Sequence, residues 1–200
     1  MLTIGIDFFS MNTCVTAEHI VTGAIALLNM TQLTVSLRLL PHAPYEQSKS
    51  VNHLNGGFKR YFEPLENSFI DHPVLEKILT GFCRILCEAA RHDRWNIKIH
   101  PYRIVARDGV NGKPAPEGLH QDGVDFIACY MIGRVNVTGG MSTITDASKE
   151  FLGEVEMNSP NDFVICNDRE TFHDVSSIVA ENLKMPYAYR DVLVIAFEKL

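Results

Sequence analysis

The sequence predicts a mainly β domain with flanking α-helix, and three observations carry that expectation. From Trp95 onward the chain reads as short β-branched and aromatic runs divided by turn-forming residues, with no helical period between them. Before that point the texture is mixed and contains one amphipathic stretch at helical spacing. A length of 200 residues suits one domain with a sizeable core, so residues 1–94 are expected as a helical and irregular part packed on a β core of 95–200. Seven or more strands without intervening helices argue for a sandwich, a jelly roll or a barrel.

Taken in order, "EHIVTGAIALLNM" (18–30) is the weaker helix candidate. Its apolar run falls far short of the roughly 20 residues that a membrane span needs. The first Lys or Arg is Arg38, so no basic region precedes that run and no signal peptide is expected. The stretch 41–66 is polar and broken by Pro and Gly, which fits an irregular connection or a lid. "HPVLEKILTGFCRILCEAA" is the convincing helix. It places Val74, Leu75, Ile78, Leu79, Phe82, Ile85 and Leu86 on a helical stripe, with Asp71 as a cap before Pro73. The strands follow as "WNIKIHPYRIVA", "VDFIACYMIGRVNV", "MSTITD", "GEVEM", "DFVICND", "FHDVSSIV" and "YRDVLVIAFEKL". Between them lie "RDGVNGKPAPEG", "TGG", "NSPN" and "LKMPYA", and Gly139–Gly140 is expected to close a hairpin.

Composition narrows the function classes. At 46% hydrophobic and 21% charged the chain reads as an ordinary soluble protein. A net charge of -6 without any Lys/Arg run argues against a nucleic-acid partner. The five cysteines are odd in number and form no paired framework, so free thiols and a cytoplasmic location are expected. Cys83 and Cys87 share a helix face and read as small buried residues.

"PEGLHQDGVDF" (116–126) carries the first chemical signal. Residues i and i+2 on a strand point to one face, so His120 and Asp122 can present an imidazole and a carboxylate to one ion. About 0.4 His-x-Asp triplets are expected by chance from eight histidines and eleven aspartates, so the triplet needs a third ligand from elsewhere. "NDRETFHDVSSI" supplies His173, 51 residues after Asp122 at the start of a late strand. Two histidines and one carboxylate make the facial triad of non-haem Fe(II) oxygenases, which leaves positions open at the metal. A set without thiolate suits Fe(II) better than structural zinc.

A second signal lies in "AYRDVLVIAFEKL". Arg190, Val192, Val194 and Ala196 alternate onto one face, which sends a lone guanidinium into an apolar interior. Burying it unpaired is costly, so an anion is expected there, and the planar fork of Arg suits a carboxylate. The competing reading is an exposed Arg paired with Asp191 or a glutamate.

Together "PEGLHQDG", "GRVNVTGGMSTITD", "NDRETFHDVSSI" and "YRDVLVIAFEK" resemble the 2-oxoglutarate/Fe(II)-dependent dioxygenases, in the branch of the free amino-acid hydroxylases. The resemblance covers about 95–200, with a softer match over "RLLPHAPYEQSKSVNHLNGGFKRY" upstream. It implies a double-stranded β-helix, a jelly-roll form, with iron at one open end. It also implies that His120, Asp122 and His173 bind Fe(II), that Arg190 holds the far carboxylate of 2-oxoglutarate, and that dioxygen is consumed. Arg134 and Arg169 are rivals to Arg190. Val192 stands where many members carry a hydroxyl residue, so that hydroxyl must come from elsewhere, with Tyr102 and Thr143 as candidates. Asp122 argues against a halogenase, which lacks the carboxylate.

The implied substrate is a small molecule, a free aliphatic L-amino acid such as isoleucine, leucine or methionine. Glu117 is the candidate for its ammonium group and Arg134 for its carboxylate. Rival readings are hydroxylation of acylated or peptidyl amino acids, and a cupin-like metal protein that works without 2-oxoglutarate. Arg190 discriminates against the last, which needs no buried cation opposite the metal. Gln121 is expected to point away from the ligands, Asp125 and Asp168 to serve turns or orient a histidine, and His100 to be a packed strand residue.

Overall fold

Residues 73–90 are helical because their apolar residues recur at turn spacing and Pro73 opens the first turn, where a missing N–H costs nothing. The computed structural model describes residues 20–21 (backbone only), 38–49, 56–107 and 109–200. A one-turn helix, α1 (Asn67–Ile70), leads into α2 (Pro73–Ala90). Asp71, expected to cap α2, instead terminates α1, and the α2 cap is His72, whose Nδ1 accepts from the N–H of Val74 at 3.3 Å. The short helix ahead of α2 uses up the aspartate's position. α2 buries Leu75, Leu79, Phe82, Cys83 and Leu86 along one stripe.

The described strands are β1 (Ile20–Val21), β2 (Trp95–Val105), β3 (Phe126–Val135), β4 (Val137–Gly139), β5 (Met141–Asp146), β6 (Phe151–Glu156), β7 (Phe163–Asn167), β8 (Thr171–Val175), β9 (Ile178–Ala180) and β10 (Tyr189–Lys199). An antiparallel five-stranded sheet runs β1-β2-β10-β3-β7, a three-stranded sheet runs β6-β5-β8, and β4 pairs with β9. The fold is mainly β with helix packed on its N-terminal side, as expected. Among the described residues these three sheets are separate rather than hydrogen-bonded into one closed barrel.

Three expectations change at this level. Most of the helix candidate 18–30 lies outside the described residues, but Ile20–Val21 within it pairs with Arg103 and Tyr102 as an edge strand. A free sheet edge decides such short apolar runs, which periodicity cannot. "FHDVSSIV" is two strands, because β8 joins β5 while β9 crosses to β4. Gly139–Gly140 is not a hairpin turn, since β4 and β5 belong to different sheets. Both glycines take positive φ, at 79° and 78°, and a Cβ on Gly139 would meet the Ser177 carbonyl oxygen at 2.3 Å.

The strands of the large sheet have two buried faces. Trp95, Ile97, Ile99, Leu193, Ile195 and Phe197 pack against the α2 stripe. The alternate residues of β10, from Arg190 to Ala196, turn to the opposite face, where Ile144 of β5 packs against Ile127 and Ala196. The space between the two sheets is therefore walled by side chains of both.

Phe82 anchors the helix side, with its ring edge-on to Tyr130, Phe163 and Phe197 at centroid distances of 6.2, 5.2 and 6.5 Å. Phe82→Ala is expected to cost about 3–5 kcal/mol of unfolding free energy, the usual range for removing a buried aromatic. Urea unfolding followed by far-UV circular dichroism measures it. A loss below about 1 kcal/mol would mean that this contact does not hold α2 to the sheet.

Candidate metal centre and cofactor cavity

Between the sheets lies a cavity of about 410 Å³. β2 lends it His100, Tyr102 and Ile104, β3 Ile127 and Cys129, β5 Ser142 and Ile144, and β10 Arg190, Val192, Val194 and Ala196. The last group is the alternating face that the sequence indicates. Tyr45, Gln47, Arg60 and Phe62 of the irregular stretch 41–66 also border the cavity, so that stretch forms part of its wall.

His120, Asp122 and His173 meet at the cavity with one ligand atom each, all within 4.8 Å of one another. The local structure differs from the strand start expected at His120. The chain there makes an isolated antiparallel bridge to β8, with His120 N–H donating to the His173 carbonyl at 3.0 Å and His173 N–H to the His120 carbonyl at 2.9 Å. The two histidines are thus direct backbone partners, and their rings lie 4.4 Å apart. The chain then turns through Gly123, with φ at 80°, before β3 begins.

A buried carboxylate holds that turn. Asp168 Oδ1 accepts from the N–H of Asp122 at 3.0 Å, and its Oδ2 accepts from those of Gly123 and Val124 at 2.7 and 3.0 Å. Gln121 points away from the ligands, as expected, and its amide donates to the carbonyls of Asp168 and Thr171. Gln47 reaches in from the other side, donating to the Asp122 carbonyl at 3.1 Å and to its Oδ1 at 3.3 Å.

The tautomer of His120 follows from its partner. Nδ1 lies 2.7 Å from the Gly118 carbonyl, which can only accept, so Nδ1 carries a proton and Nε2 is the nitrogen turned to the cluster. His173 turns Nε2 to Asp122 Oδ2 at 3.3 Å and Nδ1 toward Asp168 Oδ1 at 3.8 Å. Burial pushes the Asp122 carboxyl up, but His173, His120 and His100 outweigh it and hold the group below the usual range. For His173, burial lowers the imidazole, yet Asp122, Asp168 and Glu117 together raise it above the ordinary value. The cluster therefore favours negative charge on Asp122 and positive charge beside it, the balance a bound cation would satisfy. Two imidazole nitrogens and a carboxylate, with no thiolate in the cluster, fit Fe(II).

Arg190 provides the second test of fit. Its side chain is 1% exposed, and its Nε and Nη2 have no hydrogen-bond acceptor among the described residues. The exposed-Arg reading is excluded, since Asp191 is held by Arg103 through bonds of 2.8 and 2.6 Å. Gly140 makes room for the guanidinium, because a Cβ there would come within 3.2 Å of Arg190 Cδ and Nε. A buried cation with unsatisfied donors needs an anion, and a ligand carboxylate matches it.

The other expected residues divide. Glu117 borders the cavity, with Oε1 at 3.8 Å from His120 Nε2. Tyr102 borders it too and sits directly across from Val192 in the β2–β10 register, while Thr143 is absent from the lining. The hydroxyl that the sequence misses is Ser142, one residue away, because β5 turns its even-numbered residues inward. Arg134 does not reach the cavity. Its guanidinium donates to the carbonyls of Val137, Gly139 and Met157 and to Asn158 Oδ1, which makes it a brace for the β3–β4 corner in place of the expected substrate contact. Arg169 has a side chain 61% exposed and pairs with Asp125 outside the site. His100 is packed as expected, but it also faces the cavity. Burial pulls its imidazole down to about 4, against the opposing influence of Asp122, so the ring is neutral near pH 7. Gln47, Arg60 and His100 carry no sequence signal beyond the polar character of 41–66 and the strand pattern of β2.

No described helix is long and apolar enough to cross a membrane. The four described cysteines, Cys83, Cys87, Cys129 and Cys166, are free, and Cys14 lies outside the described residues.

Comparison with known proteins agrees with this geometry. The chain is 24% identical over 157 residues to the L-isoleucine-4-hydroxylase of Bacillus thuringiensis, a match covering 76% of this chain and 64% of that protein. It spans less than two thirds of that relative's length. A crystal structure of a bsmA homologue from Methylobium petroleophilum PM1 superposes with a TM-score of 0.80 at 29% identity, over 92% of this chain and 73% of the other. The structure of IDO from Bacillus thuringiensis has the same fold, with a TM-score of 0.70 at 20% identity, over 94% of this chain and 78% of that one. The family model described as 2OG-Fe dioxygenase matches residues 24–196, nearly the whole chain, and its metal and cosubstrate are the two ligands that the triad and the unpaired guanidinium fit. The chain belongs to the 2OG-Fe dioxygenase family.

Proposed function

We propose that this chain is a 2-oxoglutarate/Fe(II)-dependent dioxygenase of the cytoplasm that hydroxylates a free aliphatic L-amino acid such as isoleucine or leucine, or sulfoxidises methionine. The observation that carries the reading is the juxtaposition, in one largely apolar cavity, of the His120–Asp122–His173 cluster with a buried Arg190 whose Nε and Nη2 have no acceptor among the described residues. The name of the Bacillus thuringiensis relative supports the substrate class. In this reading residues 1–200 are one domain, and the two facing sheets are the halves of a double-stranded β-helix.

His120 Nε2, Asp122 and His173 Nε2 would hold Fe(II), with Asp168 and the Gly118 carbonyl fixing the backbone and the imidazole tautomer around them. Arg190 would take the far carboxylate of 2-oxoglutarate, with Tyr102 and Ser142 as the hydroxyl groups in the wall beside Val192. Bound Fe(II), 2-oxoglutarate and dioxygen supply the oxidising chemistry, in which 2-oxoglutarate becomes succinate and carbon dioxide and one oxygen atom enters the substrate. The protein's part is to orient the substrate and exclude competing reactions. Val164, Val192, Val194 and Ile144 give an apolar surface for an aliphatic side chain, and Glu117 offers a carboxylate for its ammonium group. A cupin-like protein working without 2-oxoglutarate would have no use for the buried guanidinium.

His173→Ala is expected to abolish turnover while the circular dichroism spectrum and melting temperature stay near wild type. Full activity in that variant, or in protein stripped with a chelator, would rule out the metal assignment.

Arg190→Leu is expected to raise the KM for 2-oxoglutarate far more than that for the amino acid. Loss of a charge-assisted bidentate contact is worth on the order of 2–4 kcal/mol, roughly 30- to 900-fold. An unchanged 2-oxoglutarate KM would remove Arg190 from the cosubstrate site.

The substrate is tested by anaerobic reconstitution with Fe(II) and 2-oxoglutarate, then exposure to air with a panel of amino acids. Succinate release should be coupled to the gain of one oxygen in isoleucine, leucine or methionine, read by mass spectrometry. Turnover confined to N-acylated amino acids or peptides would refute the free amino-acid reading and leave the dioxygenase reading standing.

A further inference from the structure

Three arginines border the cavity, and they differ in what holds them. Arg103 is chelated by Asp191. Arg190 is the buried cation matched above to the cosubstrate. Arg60 is the third, and no carboxylate pairs with it among the described residues. Its Nη2 donates to the neutral amide oxygen of Gln47 at 2.5 Å, and its Nε is buried without an acceptor. The guanidinium lies 4.8 Å from the ring centre of Tyr45 and 5.9 Å from that of Phe62. Stacking of this kind orients a guanidinium without neutralising it.

Its position is built rather than incidental. The backbones of Tyr45 and Arg60 bond to each other in both directions at 2.8 Å, which keeps the ring under the cation. Gln47 uses its amide oxygen on Arg60 and its amide nitrogen on Asp122, so one side chain sets the spacing between the cation and the metal cluster. Arg60 stacks on rings that pack against His100, and His100 lies across from Val194, four residues along β10 from Arg190, which lies across from Ile104, so the two guanidiniums make separate cationic subsites. The wall near Arg60 is aromatic: Tyr45, Phe62 and the neutral His100 contact one another at ring distances of 4.8 to 6.2 Å. A cation with no carboxylate partner among the described residues, beside an aromatic wall and within one glutamine of the candidate metal cluster, suits the carboxylate of a ligand with an apolar body.

We infer that Arg60, oriented by Gln47 and Tyr45, binds the carboxylate of the oxidised substrate and makes a free carboxylate a requirement of this enzyme. It takes the role for which Arg134 was expected, since Arg134 is spent on backbone carbonyls. The inference rests on the dioxygenase reading for which molecule is oxidised, but it is independent of whether that molecule's amine is free.

The test is isothermal titration of the full chain, loaded with Mn(II) and 2-oxoglutarate without oxygen, using two matched pairs of probes. These are L-isoleucine with L-isoleucinamide, and N-acetyl-L-isoleucine with its amide. Wild type should bind at least one acid roughly 10- to 150-fold more tightly than the matching amide, the range for a hydrogen bond to a charged group. Arg60→Met should erase that preference by weakening the acid alone, while 2-oxoglutarate affinity and melting temperature hold. Arg60→Lys, which keeps the charge and loses the fork, should retain part of the preference and serves if the Met variant does not fold. Equal binding of acid and amide by wild type, no binding of either acid, or a preference that survives Arg60→Met would each overturn the inference. A preference confined to the acetylated pair would support Arg60 while removing the free amino-acid reading. Turnover of L-isoleucine with acid and amide bound equally would do the reverse.

Discussion

Asp168 is 1% exposed, and its carboxylate gathers three consecutive N–H groups from Asp122 to Val124. A buried carboxylate is costly unless its oxygens are satisfied, and the tight turn at Gly123 satisfies them. The turn in turn fixes where Asp122 projects. Because Asp168 lies in the connection between β7 and β8, only a few residues before His173, the same group ties both halves of the metal cluster to one point. The backbone bridge between His120 and His173 closes the arrangement from the other side. Three side chains of the candidate metal cluster are thus positioned by hydrogen bonds from their surroundings, the support that a metal site requires.

The second constraint is the double duty of the large sheet. Its strands carry apolar residues on both faces, one set against α2 and the other against the cavity. Period-two alternation along β10 places Leu193, Ile195 and Phe197 on the helix and Val192, Val194 and Ala196 in the cavity, in line behind Arg190. A one-residue slip of β10 would exchange the two sets and expose the guanidinium to the helix side. The eleven-residue register with β2 guards against that slip, and the bulge between Asp191 and Val192 falls where the β3 pairing passes Arg190.

Charge is distributed across the cavity in a way that separates tasks. Asp122 and Glu117 lie at the histidines, whereas Arg190 and Arg60 belong to different walls, one in β10 and one in the irregular stretch 41–66. Burial pushes the Tyr102 phenol well above its ordinary value and holds His100 in its uncharged form, so neither adds charge to the cavity wall near pH 7.

Sequence alone reached the mainly β class, the limits of α2 and most strands, the three residues that the fold gathers into one candidate metal cluster and the inward turn of Arg190. Most of these are legible because they rest on local periodicity: a 3.6-residue stripe, alternation along a strand and a His-x-Asp spacing are set by backbone geometry over a few residues, whereas His173, 51 residues after Asp122, joined the set through the need for a third ligand and the family resemblance. What needed the tertiary structure depends on pairing between distant segments. Asp71 lost its capping role to a neighbouring one-turn helix, and Gly139–Gly140 crosses between sheets instead of closing a hairpin. Arg134 and Arg60 are both arginines near strand or bridge positions, and nothing local tells them apart. Arg134 is spent because five acceptors from 137–158 converge on it, whereas among the described residues Arg60 meets a neutral glutamine and two aromatic rings but no carboxylate. Whether a charged group is satisfied is a property of everything around it in space, so the sequence named the residue types at the site and the fold decided which of them remained available to a ligand.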